Sequence, residues 1–152
     1  MRKIICSITM LFTLALVVNA TEGYYENKDF KIKTLYAEGS LMPLAMALSP
    51  KDGFASNINV MIQNFEGSIE EYATISEKQF KKINFTVLNK KVNGNSLIYE
   101  YTGEMGGRKL HWYAKGVKRE NKVYLITGTA MEDTWSEEAD KLKECVNSFK
   151  LK

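Results

Sequence analysis

Alternation of apolar and polar side chains marks the first patterned part of the chain. Residues 30–36, 44–48 and 57–65 each carry apolar side chains at about every second position. That period of two is typical of a half-buried β-strand. Residues 49–53, which include serine, proline, aspartate and glycine, form a turn signal between the second and third stretches. The pattern therefore predicts three short strands.

After Gly67 the apolar residues recur at steps of three and four, which predicts a helix with one buried face. The members of this stripe are Ile69, Tyr72, Ala73, Ser76, Phe80 and Ile83. Ser68 and Glu71 have capping-box spacing, in which each side chain satisfies a backbone donor at the helix start. A second stripe predicts a closing helix over residues 135–149. Its members are Trp135, Ala139, Leu142, Val146 and Phe149.

Between the two helices the pattern predicts four further strands, over residues 85–92, 96–102, 108–118 and 122–130. Asn93-Gly94 is a favoured hairpin pair, and Gly106-Gly107 relaxes the next turn. Neighbouring strands should therefore pair antiparallel. The expected fold class is α+β: a single domain whose mostly antiparallel central sheet of six to seven strands is flanked by two helices, as an α/β/α sandwich.

Side chains alternate across a strand, so each strand contributes to both faces of the sheet. One face is expected to be core, and it collects Ile98, Leu110, Trp112, Ala114, Val123 and Leu125. The other face is expected to group four tyrosines around the only histidine. Its members are Tyr99, Tyr101, His111, Tyr113 and Tyr124, together with Ile126. A turn centred near Met105 would place Tyr99 opposite His111.

Two interpretations of this tyrosine group are open. Tyrosine combines apolar area with a polar tip and loses little rotamer entropy, which suits a binding surface. Apolar side chains on both faces of a sheet equally indicate that a helix covers each face, with the hydroxyls reaching water at the rim. On the first interpretation the candidate binding residues are Tyr99, Tyr101, His111, Tyr113 and Tyr124.

The first twenty residues have the organisation of a signal peptide, because Arg2 and Lys3 precede an uncharged run that ends in Val18-Asn19-Ala20. Residues 1–20 are therefore expected to be removed, which leaves a secreted or periplasmic domain of residues 21–152. An uncleaved membrane anchor is the alternative, since the run of about 17 residues is near the lower limit for crossing a bilayer.

The amino-acid composition excludes several classes of functional site. One histidine and two cysteines in 152 residues exclude histidine-rich metal sites, four-cysteine zinc sites and a disulfide-dense scaffold. Loss of Arg2 and Lys3 would leave 19 Lys and Arg against 18 Asp and Glu, a net charge of +1, which argues against nucleic-acid binding. We expect no cofactor and no metal. Cys145, on the closing helix, is expected to be a small buried residue.

Catalytic groups are equally sparse, and the expectation is a protein that is not an enzyme. A serine or cysteine triad needs a histidine base, and the pattern predicts no acidic partner for His111. The glycines near residues 103–107 span a hairpin, whereas a phosphate loop joins a strand to a helix. The alternative is a hydrolase or transferase that uses unpaired carboxylates such as Glu100 or Glu104, which requires a cleft with two acids about 5–10 Å apart.

Several strings, together with the element order, resemble the PsbP-like and DcrB-like families over residues 24–151. They are Ser49-Pro50 before Asn57-Ile58-Asn59-Val60, the helix start Ser68-Ile69-Glu70-Glu71-Tyr72, Tyr124-Leu125-Ile126-Thr127-Gly128-Thr129-Ala130, and the ending Val146-Asn147-Ser148-Phe149.

The resemblance implies an α/β/α sandwich of the kind shared with the Mog proteins. It also implies a non-catalytic exported module that binds or helps to assemble something else. The expected partner is another protein or a small ligand in the export compartment, with no nucleic acid, and with a membrane only if the signal is retained.

Overall fold

The computed structural model describes residues 24–26, 28–33 and 45–152. The expected signal peptide and its cleavage site lie outside these residues, as do residues 34–36 and 44 of the predicted strands. The elements in chain order are β1 (Tyr24–Glu26), β2 (Phe30–Lys33), β3 (Ala45–Ala47), β4 (Asn57–Asn64), α1 (Ile69–Lys82), β5 (Thr86–Asn93), β6 (Ser96–Met105), β7 (Arg108–Arg119), β8 (Lys122–Met131), α2 (Trp135–Asn147) and β9 (Lys150–Leu151).

Six strands form the main sheet in the spatial order β3-β4-β8-β7-β6-β5, and every neighbouring pair is antiparallel. The predicted α+β class is therefore confirmed. The strand predicted from residue 30 onward does not join this sheet, because β2 pairs with β1 and β9 in a separate three-stranded sheet. The sequence pattern did not predict β1 and β9, which at three and two residues are too short to show a period.

The small sheet closes over the end of α2. The backbone N–H of Lys33 donates to Ser148 Oγ at 2.8 Å, and Cys145 Sγ donates to the carbonyl of Lys33 at 2.7 Å. Phe30 and Phe149 pack with their ring centroids 5.4 Å apart. These contacts hold β2 against α2, although β2 pairs with no strand of the main sheet.

The two helices cover opposite faces of the main sheet, and the sets of strands that they contact share only β7 among the contacts of the described residues. α1 contacts β5, β6 and β7, whereas α2 contacts β8, β7 and β4 as well as β2. The predicted capping box of α1 is confirmed, because Ser68 Oγ accepts from the Glu71 N–H at 3.1 Å and Glu71 Oε2 accepts from the Ser68 N–H at 2.8 Å. Because α1 contacts the strands from β5 to β7 and α2 contacts β4, β8 and β7, the two helices are offset from each other across the sheet.

Contacts from other elements stabilise both ends of α2. Its first turn carries Glu137 and Glu138, and these accept from Lys51 Nζ at 3.0 Å and Ser56 Oγ at 2.5 Å. At its other end Lys115 Nζ, from β7, donates to the carbonyls of Asn147 and Phe149, each at 3.2 Å. A cation near these carbonyls opposes the helix dipole. Burial lowers the pKa of Lys115, and the neighbouring charge of Lys150 lowers it further.

The turn between β6 and β7 decides which face each side chain of β6 occupies. Met105 pairs with Arg108, so the loop consists of Gly106 and Gly107 alone. Their φ values of 62° and 73° lie in the region that a two-residue hairpin turn requires and that glycine adopts without strain. As a result Tyr99 pairs with Ala114, and Tyr101 pairs with Trp112.

The expectation of one face carrying all five candidate residues is therefore wrong. The observed register differs from the expected one by an odd number of residues, which moves every side chain of β6 to the other face. Tyr99 and Tyr101 lie on the face covered by α1, while His111, Tyr113 and Tyr124 lie on the face covered by α2. The same shift places Ile98 on the face opposite to the one expected from the sequence.

Two hydrophobic cores result, one under each helix. The core under α1 contains Ile69, Ala73, Leu97, Tyr99, Tyr101, Leu110, Trp112, Ala114 and Val123. The core under α2 contains Phe30, Ile32, Met46, Ile58, Val60, Tyr124, Ile126, Ala130, Trp135, Leu142, Cys145, Val146 and Phe149. A helix therefore covers apolar side chains on each face, as the second interpretation of the sequence expected.

Gly103 makes room for an aromatic ring in the core under α1. A Cβ atom at this position would lie 2.2 Å from Cδ1 of Phe85. The Phe85 ring stacks on Trp112 with a centroid separation of 4.7 Å, and Trp112 stacks in turn on Tyr101 at 5.1 Å. The ring has neighbours on more than one side, so it cannot retreat without disturbing this stack.

The substitution Gly103→Ala should reduce the free energy of unfolding by about 1–3 kcal/mol, because the added methyl group overlaps the Phe85 ring. Gly116→Ala is the matched control on the neighbouring strand, where the nearest atom to a new Cβ is 3.6 Å away. Urea unfolding of both variants measures the difference. An equal loss of stability in the two variants would contradict the overlap as the cause.

Candidate functional site

Two of the five candidate residues lie in the core under α1. Tyr99 is buried and its hydroxyl donates to the carbonyl of Ala73 at 3.0 Å. Tyr101 is buried between aromatic rings, with Phe80 at a centroid distance of 4.4 Å. Burial raises the pKa of both phenols far above the usual value. Neighbouring residues cover both rings, so neither ring forms part of an exposed surface.

The other three candidates lie on the face of the sheet that α2 covers. Tyr124 is buried near Phe149, with ring centroids 6.2 Å apart, and belongs to the core. His111 is buried at 4% exposure near the start of the helix. Tyr113 is half-buried, and its hydroxyl donates to Oδ1 of Asn147 at 3.2 Å. Among the five residues, Tyr113 is bonded to a polar side chain of α2, and the polar partners of His111 lie on β6 and just after β8.

His111 lies between two carboxylates. Its Nε2 is 3.0 Å from Oε1 of Glu100 on β6, and its Nδ1 is 2.9 Å from Oε2 of Glu132, just after β8. Carboxylate oxygens only accept hydrogen bonds, and a neutral imidazole has one donor and one acceptor nitrogen. Both contacts are therefore hydrogen bonds only when the ring is the doubly protonated imidazolium. In that doubly protonated form the ring carries a positive charge.

Lys143 adds a second positive charge to the same cluster. Its Nζ lies 2.9 Å from Oε1 and 3.1 Å from Oε2 of Glu100, so this carboxylate is shared between a helix and a strand. Burial by itself raises the pKa of Glu100, but hydrogen bonds from Lys143 and His111, and the charges of both, outweigh it and lower the pKa overall. Glu100 is therefore ionised when it holds both partners.

We call Glu100, His111, Glu132 and Lys143 the His111 clamp. Two aromatic rings enclose it. The indole of Trp135 stacks on the His111 ring with a centroid distance of 3.9 Å and an interplanar angle of 10°. Lys143 Nζ lies 5.4 Å from the centroid of Tyr113 and 5.6 Å from that of Trp135. Formally the clamp holds two negative and two positive charges, and it joins β6, β7 and the end of β8 to α2.

The clamp and the nearby cysteine provide few groups that are available to react with a substrate. While the ring is doubly protonated, each nitrogen of His111 donates its proton to a carboxylate, so neither nitrogen can act as a base towards a substrate. In residues 24–26, 28–33 and 45–152 no group of three His, Cys, Asp or Glu side chains is placed to hold a metal ion. Cys145 is buried, and burial raises the pKa of its thiol to about 12, so the reactive thiolate is suppressed.

The sequence pattern missed the two acidic partners of His111. The sequence pattern identifies Glu100 only as an unpaired carboxylate and Glu132 only as the neighbour of Asp133. The signal that could have revealed Glu100 is the Gly106-Gly107 pair, since a two-residue turn there places Glu100 on the same face as His111. Glu132 could not be found in this way, because it lies beyond the end of β8.

Comparison with known proteins identifies the fold. No protein-family profile matches the sequence, and no curated protein sequence matches it. Among solved structures, cyanobacterial PsbP (CyanoP) from Synechocystis sp. PCC 6803 matches with a TM-score of 0.60 and 14% identity over 93% of this chain and 99% of that chain. The fold is PsbP-like. The expectation from the sequence is confirmed at the level of the fold.

Two further solved structures share the architecture. PA94 of Pseudomonas aeruginosa, a protein of unknown function, matches with a TM-score of 0.59 and 14% identity over 79% of this chain and 90% of that chain. LpqN of Mycobacterium tuberculosis, which is involved in cell envelope biogenesis, matches with a TM-score of 0.52 and 9% identity over 70% of each chain. Identities this low establish the fold alone. Neither α1 nor α2, the helices in the described part of this chain, is long and apolar enough to cross a membrane.

Replacement of Glu100 by glutamine should cost about 1–3 kcal/mol of unfolding free energy at neutral pH, because Lys143 and His111 lose a charged partner. A carboxyl with a lowered pKa contributes stability above its unfolded-state pKa and loses that contribution as the pH falls through its folded-state pKa. The wild type should therefore lose its advantage over Glu100→Gln as the pH falls below the ordinary value of 4.5.

Urea unfolding at several pH values between about 7 and 3 measures this gap. Glu104→Gln is the control, because it removes the same charge from an exposed position on the same strand. An advantage of the wild type that stays constant with pH would contradict the assigned role of Glu100.

Proposed function

We propose that this protein is an exported accessory or assembly protein of PsbP-like type, which binds a partner and catalyses no reaction. The observation that carries the proposal is the fold match. The chain aligns over 93% of its length with a cyanobacterial PsbP, and it also matches LpqN, a protein involved in cell envelope biogenesis. Together with the expected signal peptide, these likenesses support a role outside the cytoplasm.

The contacts of His111 and Cys145 support a role without catalysis. His111 is engaged by two carboxylates, and Cys145 is buried with its thiol donating to Lys33. The alternative of a hydrolase or transferase required unpaired acids such as Glu100 or Glu104. Glu100 is paired with both Lys143 and His111, so it is not such an acid.

A pocket of about 500 Å³ at the start of α1 gives that alternative little support. Glu70 and Glu71 line it with Phe65, Gly67, Thr74 and Ile75. Glu71 caps its own helix through the backbone N–H of Ser68. Acidic side chains in the first turn of a helix are favoured by the helix dipole and need no catalytic role. Among the residues that the structure describes, no histidine, cysteine or lysine lines this pocket.

The surface proposed for partner binding is the rim of α2 around Tyr113. Tyr113 is the only member of the five candidates that is half-buried, and its neighbours Lys143 and Asn147 are half-buried and exposed. A tyrosine beside a cation and an amide combines apolar contact with hydrogen bonding, as is typical of protein interfaces. We therefore propose a protein partner here, in place of the five-residue tyrosine surface.

A photo-crosslinking residue at position 147 should trap a discrete partner in the export compartment, because Asn147 is exposed next to Tyr113. Position 82 is the matched control, since Lys82 is exposed at the end of α1, which covers the other face of the sheet. Crosslinked products are compared by mass. Identical products from both positions, or none from position 147, would contradict the proposed surface.

Export predicts a mature protein that begins at Thr21. Sequencing the N-terminus of the protein recovered from the export compartment should find Thr21 first, because Val18 and Ala20 supply the small residues that signal peptidase requires. Retention of Met1 on membrane-bound protein would instead support the tethered alternative. Recovery of the intact chain in the cytoplasm would contradict export.

A further inference from the structure

The protonation of His111 controls how many of its contacts are favourable. With both ring nitrogens protonated, the ring donates to Glu100 and to Glu132. After loss of one proton, one ring nitrogen presents a lone pair to a carboxylate oxygen, so two acceptors face each other. A buried acceptor without a donor costs as much as a lost hydrogen bond or more. One of the two contacts must then open.

The exposure of the two carboxylates indicates which contact opens. The Glu100 side chain is 16% exposed and keeps two close contacts to Lys143. The Glu132 side chain is 46% exposed, so water can replace the imidazole as its partner. The remaining proton therefore stays between His111 and Glu100, and Glu132 moves away.

Movement of Glu132 affects the connection from β8 to α2. Glu132 belongs to the three residues, 132–134, that join these elements. Thr134 precedes the helix but makes no side-chain cap, so its side chain does not fix the first turn of α2. Trp135, the next residue, stacks on the same imidazole ring. The backbone N–H of Glu132 bonds to the carbonyl of Lys109 at 3.0 Å, which marks the end of the sheet.

We propose that the doubly protonated ring of His111 is a pH-sensitive latch, which holds the connection between β8 and α2 to the sheet through Glu132. While the ring carries both protons, Glu132 is bound and the first turn of α2 is fixed over the sheet. Once one proton leaves, Glu132 is released and residues 132–136 open locally. The contacts of Ser56 and Lys51 with Glu138 and Glu137 limit the opening to this segment.

The equilibrium between the closed and open latch is influenced by charged groups from each element packed around the His111 ring. β6 contributes Glu100 and the exposed Glu104, and β7 contributes Lys109 and Tyr113 from the same face. The connection contributes Glu132 and the exposed Asp133. α2 contributes Lys143, bound to Glu100, and the exposed Asp140. Glu100 and Glu132 contact the ring directly, and Lys143 acts on it through Glu100.

His111 is the only histidine in the sequence, so its ring can be observed without assignment ambiguity. Nitrogen-15 NMR of the imidazole distinguishes two protonated nitrogens from one protonated and one bare nitrogen. Amide hydrogen exchange of residues 132–136 reports the opening. Both are followed in the folded wild type from about pH 5 to about pH 9, which covers the range in which histidine side chains change charge.

The expected result is a coincidence of two changes. The bare nitrogen should appear over the same pH interval in which the opening equilibrium of residues 132–136 grows by about tenfold, after correction for the intrinsic pH dependence of exchange. A tenfold change lies at the lower end of the effect expected from the loss of one charged hydrogen bond. Amides in β7 should keep their protection. A neutral ring at the acidic end, or opening that does not follow the ring, would overturn the proposal.

The variant Glu132→Gln tests the chemistry of the latch. A glutamine side chain both donates and accepts, so it can bind His111 in either protonation state. The variant should therefore keep residues 132–136 closed across the pH range. Glu104→Gln removes the same charge without touching the ring and should open as the wild type does. Equal pH profiles for Glu132→Gln and the wild type would overturn the proposal, and far-UV circular dichroism verifies that both variants fold.

Discussion

The arrangement of this protein depends on a turn of two glycines. Gly106 and Gly107 set the pairing of β6 with β7, and this pairing decides which side chains of β6 meet each helix. With the observed register the apolar rings of Tyr99 and Tyr101 lie under α1, and Glu100 faces α2. The opposite parity would bury the Glu100 carboxylate among aromatic rings, where a charge without a partner is very unfavourable. The register is thus consistent with the chemistry of both faces.

The His111 clamp follows from that parity. Glu100 reaches His111 and Lys143 only because it shares the α2 face, and Glu132 completes the cluster from the end of β8. While the ring of His111 is doubly protonated, the charges of the cluster satisfy one another, and the cluster joins helix to sheet. It also explains why the proposed partner surface lies at the rim around Tyr113, outside the network.

The parts of the fold that sequence predicted well are those with a strong local period. The stripe beginning at Ile69 and the capping box at Ser68 determined α1 to within a residue of its observed start. The strands of the main sheet were predicted from alternation, with boundaries that differ by a few residues. The candidate site was predicted poorly, because the partners of His111 lie 11 and 21 residues away along the chain. No local spacing rule connects residues that meet through a hairpin and a loop.

The sequence by itself determined the class of the fold, the two amphipathic helices and the small number of reactive side chains. These properties follow from composition and from periods of two or about 3.6 residues, which act over a single element. Only the tertiary structure decided that the first predicted strand lies outside the main sheet, that the tyrosines divide between two faces, and that His111 lies between two carboxylates. Each of these depends on pairing between distant segments, where a shift by one residue reverses the face of a whole strand.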